Sequence, residues 1–86
     1  MEIRFSKTAR KAIEKYDKAT KQRIKAGIDK LTLDPPEGDI KLLQGYTDGR
    51  MRLRIGKYRI IYRYDKDGNV RILFIMDINS RGDIYK

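Results

Sequence analysis

Apolar and charged residues alternate along residues 50–55 and again along residues 58–64, on either side of Gly56 and Lys57. Strict alternation is typical of β-strands with one buried face. Glycine readily adopts the positive φ that a type II′ turn requires at its first central position. The pattern therefore predicts a two-stranded antiparallel hairpin with a two-residue loop.

The predicted register separates an apolar face of the hairpin from a basic face. The apolar face comprises Met51, Leu53, Ile55, Tyr58, Ile60 and Tyr62, and the basic face comprises Arg50, Arg52, Arg54, Arg59 and Arg63. Arg54 should lie directly opposite Arg59, and like charges in this position destabilise a strand pair. No acidic residue occurs between Asp48 and Asp65 to relieve them. We infer that this face binds an anion, and a basic face that only keeps the protein in solution remains the alternative.

In the N-terminal third of the chain, the spacing of the apolar residues is different. Residues 2–5 alternate as a short strand, and apolar residues then recur at helical spacing in two segments. Ser6 and Asp17 are the expected N-caps of the two helices. The segment Asp34-Pro35-Pro36 is expected to end the second helix, because proline lacks the backbone donor and restricts the residue before it.

The segments that flank the hairpin complete the predicted fold. Residues 37–48 are expected to form a connector, and residues 70–76 read as a strand buried on both faces. The order β-α-α-β-β-β predicts an α+β domain over residues 1–86, with two N-terminal antiparallel helices packed on one face of a small antiparallel sheet. The other face would stay open and display the arginines.

Composition narrows the classes of function. The chain has 86 residues, 21 Lys or Arg against 12 Asp or Glu, and a net charge of +9, which favours nucleic acid or an acidic protein as the partner. No helix combines a broad apolar face with aromatic anchors, and no leader peptide is recognisable, so we expect a cytoplasmic protein that does not bind membranes. Histidine and cysteine are absent, and we expect no metal and no cofactor.

The same composition bears on catalysis. RNA can be cleaved by attack of its own 2′-hydroxyl on the neighbouring phosphate, which requires positioning, charge stabilisation and proton transfer. Arginine supplies the charge, but Arg, Lys and carboxylates are poorly matched to proton transfer at neutral pH. Composition alone therefore favours RNA binding over hydrolysis.

Four segments of the chain resemble the RelE/ParE toxin family, the toxin halves of bacterial toxin–antitoxin pairs. They are Phe5-Ser6-Lys7-Thr8-Ala9, Leu43-Gln44-Gly45, the run Arg52–Tyr62 with its Gly-x-Tyr-Arg-Ile-x-Tyr pattern, and Arg81-Gly82-Asp83-Ile84-Tyr85. The resemblance implies metal-independent cleavage of mRNA on the ribosome, and a cognate antitoxin as a partner. It also implies alternatives on the same fold, namely a toxin that inhibits DNA gyrase by binding, or a non-catalytic RNA-binding relic.

The resemblance also assigns roles to individual residues. It implies Arg59, Arg81, Tyr85 and Arg52 as catalytic residues, and Arg50, with Arg54 in the same cluster, as contacts to the RNA backbone. Lys57 and Arg63 belong to the same basic hairpin and are also expected to bind RNA. Arg59 would stabilise the charge of the transition state, and Tyr85 would stack on the scissile nucleotide or, alternatively, close the core. Many family members carry a histidine or a second basic residue just before the position of Arg81, where this chain has Asn79-Ser80.

Overall fold

The computed structural model describes residues 1–80, which form two helices and five strands. In chain order these are β1 (Glu2–Phe5), α1 (Lys7–Glu14), α2 (Lys18–Lys30), β2 (Asp39–Leu42), β3 (Met51–Ile55), β4 (Tyr58–Asp67) and β5 (Val70–Ser80). The predicted α+β class and element order are confirmed. The segment expected to be a connector contributes one additional strand, β2.

The five strands form one sheet in the order β1-β5-β4-β3-β2. Strands β2 to β5 pair antiparallel, whereas β1 lies parallel to β5 at the edge. The sheet is therefore mixed rather than wholly antiparallel. Parallel neighbours require a long crossover connection, and here the rest of the domain lies between β1 and β5 in the chain.

Both predicted helix caps are confirmed. The amide of Ala9 donates to Ser6 Oγ at 3.0 Å, and the amide of Thr20 donates to Asp17 Oδ1 at 2.9 Å. Helix α2 ends at Lys30, so the Asp34-Pro35-Pro36 segment lies beyond its end. Neither helix of residues 1–80 is long and apolar enough to cross a membrane.

The helices cover one face of the sheet. The buried core comprises Ala9, Ile24, Ile28, Leu31, Leu53, Ile60, Tyr62, Leu73, Ile75 and Ile78. The hydroxyl of Tyr64 donates to the carbonyl of Leu31 at 2.7 Å and so ties β4 to the end of α2. The opposite face, which we call the open face, carries the arginines of β3 and β4, as predicted.

The hairpin forms with the predicted register. Ile55 pairs with Tyr58 and Arg54 pairs with Arg59 across the loop. Gly56 has a φ of +57°, while no residue other than glycine has a positive φ among residues 1–80. A positive φ at the first central position only is the signature of a type II′ turn.

Strand β5 contains an irregularity that shapes the open face. Ile61 pairs with Asp77 and Tyr62 pairs with Ile75, so Met76 is an extra residue without a partner in β4. Such a bulge shifts the alternation of side chains by one position. Ile75 and Ile78 consequently both face the core, and Met76 and Asp77 both face the open side.

Candidate functional site

A cleft of about 520 Å³ opens on the arginine-bearing face of the sheet. It lies where β4 and β5 meet the loop of residues 43–50 and the first turn of α1. The lining residues are Thr8, Leu43, Tyr46, Arg50, Arg59, Ile61, Met76, Asp77 and Asn79. The cleft thus combines two guanidinium groups, one aromatic ring, apolar walls and a polar floor.

Arg59 lies at the centre of this arrangement. It occupies β4 between Arg54 of β3 and Asn79 of β5, and its side chain is half-buried. Within residues 1–80, no carboxylate oxygen lies within ion-pair distance of its guanidinium. None of the described residues therefore competes as a carboxylate partner for its five N–H donors.

Strand β2 changes the electrostatics of the neighbouring arginines. Asp39 Oδ1 lies 3.2 Å from Arg52 Nη2, and Asp39 Oδ2 lies 2.8 Å from Arg54 Nε. The premise that nothing relieves these arginines was wrong, because it considered only the hairpin. The sheet brings Asp39, 15 residues before Arg54 in the chain, directly opposite it.

Arg50 is held in place from two sides. Its Nη2 donates to Asp48 Oδ2 at 2.9 Å, and its guanidinium carbon lies 4.1 Å from the centre of the Tyr46 ring. The hydrogen bond from Arg50 holds the pKa of Asp48 below its usual value. The same hydrogen bond raises the pKa of Arg50, whose guanidinium is in any case always charged. Arg50 therefore presents a fixed cation at the wall of the cleft.

Arg63 belongs to a second, smaller hollow on the open face. This hollow of about 170 Å³ is lined by Arg4, Arg63, Asp65, Ile72 and Phe74. Arg63 lies 3.8 Å from a carboxylate oxygen of Asp65, and its guanidinium lies 5.4 Å from the centre of the Phe74 ring. A second basic and aromatic patch therefore accompanies the main cleft.

Asp77 and Asn79 form the floor of the main cleft. Asp77 Oδ1 accepts from the amide of Ile78 at 2.8 Å, and Asp77 Oδ2 accepts from Asn79 Nδ2 at 3.2 Å. Asn79 Oδ1 is buried and has no hydrogen-bond partner among the described residues. Residues 1–80 contain no group of three potential ligands that could hold a metal ion. The floor thus places a carboxylate in the same cleft as the guanidinium of Arg59.

The structure brings some of the predicted site residues together and separates others. Arg50 and Arg59 line the main cleft, whereas Arg52, Arg54 and Arg63 lie on the open face outside its lining. The ammonium of Lys57 lies 5.4 Å from the ring of Tyr58, which packs against the core on the helix-covered side. The predicted catalytic residues Arg81 and Tyr85 lie outside the described residues.

The lining residues of the cleft that sequence reasoning missed include Tyr46, Asp77 and Asn79. A carboxylate that follows the apolar run 70–76 was a usable signal for Asp77, because a strand rarely turns a charge toward a core. Because side chains alternate along a strand, Asn79 is then expected on the same face as Asp77. Nothing local to Tyr46 places its ring beside Arg50, since that contact depends on the path of the loop.

Comparisons with known proteins give one family and a set of similar folds. The family model described as "ParE toxin of type II toxin-antitoxin system, parDE" matches residues 3–85. The toxin-antitoxin complex RelB-RelE from Methanococcus jannaschii matches at 26% identity and a TM-score of 0.70, covering 95% of this chain and 94% of that one. Comparison with curated protein sequences gives no match.

Two further solved structures bear on the fold alone, since both are below 25% identical. The YoeB/ParE toxin from Agrobacterium tumefaciens matches at 20% identity and a TM-score of 0.75, covering 93% of this chain and 98% of that one. The toxin-antitoxin complex RelBE2 from Mycobacterium tuberculosis matches at 24% identity and a TM-score of 0.72, covering 93% of this chain and 96% of that one. Both likenesses extend over nearly the whole of each chain.

Proposed function

This chain belongs to the RelE/ParE family of type II toxins, and from that premise we propose that it is a ribosome-dependent mRNA endoribonuclease. The proposed reaction is attack of an RNA 2′-hydroxyl on the adjacent phosphate, without a metal ion. The 2′-oxygen loses its proton and forms a bond to phosphorus, and the bond from phosphorus to the 5′-oxygen breaks as that oxygen gains a proton. The RNA is left as two fragments, one ending in a cyclic phosphate and the other beginning with a 5′-hydroxyl. The ribosome would supply much of the positioning of the mRNA, and the toxin would act in the cytoplasm.

The observation that supports this proposal best is the contrast between Arg59 and the other four arginines of the hairpin. Arg50, Arg52, Arg54 and Arg63 each lie within 4 Å of a carboxylate oxygen, whereas Arg59 has no such partner within residues 1–80. A half-buried guanidinium without a counter-charge interacts strongly with an anion, because little solvent screens it. Arg59 is therefore the group that we assign to the negative charge that develops on the phosphorane.

The remaining predicted residues keep their roles as parts of the proposal. Arg52 is a catalytic candidate, although its guanidinium is shared with Asp39. Arg50, Arg54, Lys57 and Arg63 would contact the RNA backbone, and the open face that carries most of them is continuous with the cleft. Arg81 and Tyr85, as the leaving-group and stacking residues, rest on the family resemblance.

A second candidate function is inhibition of DNA gyrase by binding. The family model that matches is the one named for the ParE toxin, and this favours the candidate specifically. A gyrase inhibitor has no need of a cleft guanidinium such as that of Arg59, which lacks a carboxylate partner within residues 1–80, so we place it second. A non-catalytic RNA-binding relic is the third reading.

We also propose a cognate antitoxin as a partner of this chain. Two of the matched structures are complexes of a toxin with an antitoxin, which supports such a partner here. A net charge of +9 favours an acidic polypeptide. Expression of the toxin together with the small gene beside its own should give a complex that co-purifies, and a toxin that remains unbound would count against this pairing.

The proposed activity is tested in a translating extract with mRNA ends mapped by primer extension. The wild-type protein should cut mRNA only when ribosomes translate it. Arg59→Ala should reduce cutting by about 100-fold or more, since it removes the charge that stabilises the transition state. Arg10→Ala, an equal loss of charge on the exposed side of α1, should cut like the wild type.

A parallel assay of DNA supercoiling separates the two leading candidates. Inhibition of gyrase without cut mRNA would replace the first proposal with the second. Cut mRNA with uninhibited gyrase would support the first. An Arg59→Ala variant as active as the wild type would show that the role assigned to Arg59 is wrong.

A further inference from the structure

Tyr46 is a large aromatic residue left at the surface of the cleft. The residue is 52% exposed and lies in the loop between β2 and β3. It lines the same cleft as Arg50 and Arg59. An aromatic ring presented beside two guanidinium groups is the combination that proteins use to hold unpaired nucleotides.

The orientation of this ring is set by its neighbours. The guanidinium carbon of Arg50 lies 4.1 Å from the centre of the Tyr46 ring, and Asp48 holds Arg50 through a hydrogen bond of 2.9 Å. The guanidinium covers one face of the ring and is itself fixed by a carboxylate. A ligand that stacks on the ring therefore meets a surface already in place, which reduces the entropy lost on binding.

We propose that Tyr46 and Arg50 form a stacking subsite for one unpaired base of a single-stranded RNA. The ring would stack on the base, and the N–H groups of Arg50 not engaged by Asp48 would bind the phosphate next to it. This subsite deepens the proposed function and rests on it, because the bound strand is the one that Arg59 would act on in the same cleft. The ring is a positioning group, since it does not touch the reacting phosphate.

The chemistry of the cleft favours an RNA strand over a protein segment. Stacking on a tyrosine ring accepts any base, and the two arginines match the regular negative charge of a nucleic-acid backbone. The carboxylate of Asp77 on the floor can accept from the N–H donors on the edges of bases. The acidic side chains of a peptide would satisfy the arginines but would not stack on the ring.

The subsite is tested by binding, separately from cleavage. A fluorescent single-stranded RNA with 2′-O-methyl groups cannot be cleaved by the proposed route, and its affinity is measured by anisotropy at about 50 mM salt. A second probe has the same backbone with abasic positions. The wild type should bind the base-bearing probe about tenfold or more tightly than the abasic probe, as expected for one stacked base.

Three variants decide the outcome. Tyr46→Ala should lower the affinity for the base-bearing probe about tenfold and leave the affinity for the abasic probe unchanged. Tyr46→Phe should bind both probes like the wild type, because it keeps the ring. Arg50→Gln should weaken both probes, since it removes a phosphate contact.

Several results would overturn the subsite. One is that Tyr46→Ala binds the base-bearing probe as tightly as the wild type does. Another is that Tyr46→Ala loses the same factor in affinity for both probes, and a third is that the wild type does not bind RNA. Loss of gyrase binding in Tyr46→Ala with unchanged RNA affinity would instead assign the ring to a protein partner. The proposed function is contradicted by a different result, namely the absence of cut mRNA in the translating extract. The failure of the subsite and the failure of the proposed function can therefore be distinguished.

Discussion

Arg54 and Arg59 face each other across the β3–β4 hairpin, and of the described carboxylates Asp39 neutralises Arg54 while none pairs with Arg59. The two arginines thus differ in the charges that surround them. Strand β2 supplies Asp39 on one side of the hairpin, whereas on the other side β5 places Asn79 beside Arg59. Within the described part of the chain, this asymmetry leaves Arg59 as a half-buried positive charge in the cleft without a carboxylate partner.

The first prediction concerns the contribution of these two arginines to the stability of the fold. Arg59→Ala should change the free energy of unfolding by less than about 0.5 kcal/mol, because the packing lost is offset by relief of the repulsion with Arg54. Arg54→Ala should lower it by less than about 1 kcal/mol, since the loss of the ion pair with Asp39 at a partly exposed site is partly offset by the same relief of repulsion. Urea unfolding followed by circular dichroism measures both. A large loss of stability in Arg59→Ala would mean that Arg59 serves the fold.

The second prediction concerns two tyrosines of β4 that meet edge to face. The Tyr64 hydroxyl donates to the carbonyl of Leu31, whereas the buried Tyr62 hydroxyl has no partner among residues 1–80. Burial raises the pKa of Tyr62, so the hydroxyl stays neutral. Tyr62→Phe should leave the free energy of unfolding unchanged or raise it by up to about 1 kcal/mol, and Tyr64→Phe should lower it by about 1 kcal/mol.

The same unfolding assay checks this matched pair of variants. Each variant removes a single oxygen atom from a ring of the same shape, so the packing of the rings is conserved. Equal effects of the two substitutions would show that both hydroxyls have partners in solution.

The third prediction concerns Ser6, which joins helix α1 to the bulge in β5. Its Oγ accepts from the amide of Ala9 and donates to the carbonyl of Met76 at 2.6 Å. Ser6→Ala should lower the free energy of unfolding by about 1–2 kcal/mol, because the cap and this link are lost together. Ser6→Asp keeps a cap acceptor without the donor and should recover part of the loss. Full recovery would show that the bond to Met76 contributes nothing.

The fourth prediction concerns acid stability. Hydrogen bonds from Thr20 lower the pKa of Asp17 at the N-terminus of α2. Because the folded state favours the ionised carboxyl, its stabilisation is complete above the usual aspartate pKa of about 4 and is lost as the pH falls through the lower folded-state pKa. Between pH 7 and pH 3, the wild type should lose more stability than Asp17→Asn, which caps the helix without titrating. Equal losses would contradict this assignment.

Local signals in the sequence were sufficient for much of the fold. The Gly56 turn, the Ser6 and Asp17 caps and the alternation of the hairpin each depend on residues within a few positions of one another. Their geometry follows from backbone and side-chain preferences that act at short range. These are the elements that the structure confirms residue by residue.

What could not be read from the sequence depends on contacts between distant segments. Asp39 was placed in a connector, and its pairing with two arginines requires β2 to align along β3. The parallel pairing of β1 with β5 likewise joins the two ends of the described chain. The contact of Tyr46 with Arg50 depends on the path of a loop. Periodicity reports which face of an element is apolar and does not identify the partner of that face.

The bulge at Met76 decides what the cleft contains. In a strand of unbroken alternation, Asp77 and Asn79 would point into the core and Ile78 would emerge among the arginines. The extra residue, Met76, shifts the alternation by one position. Ile78 therefore stays in the core, and the cleft gains the side chain of Met76. Insertion or deletion of one residue at this point therefore lets related proteins keep the same core. Such proteins would differ in the side chains that they present to their ligands.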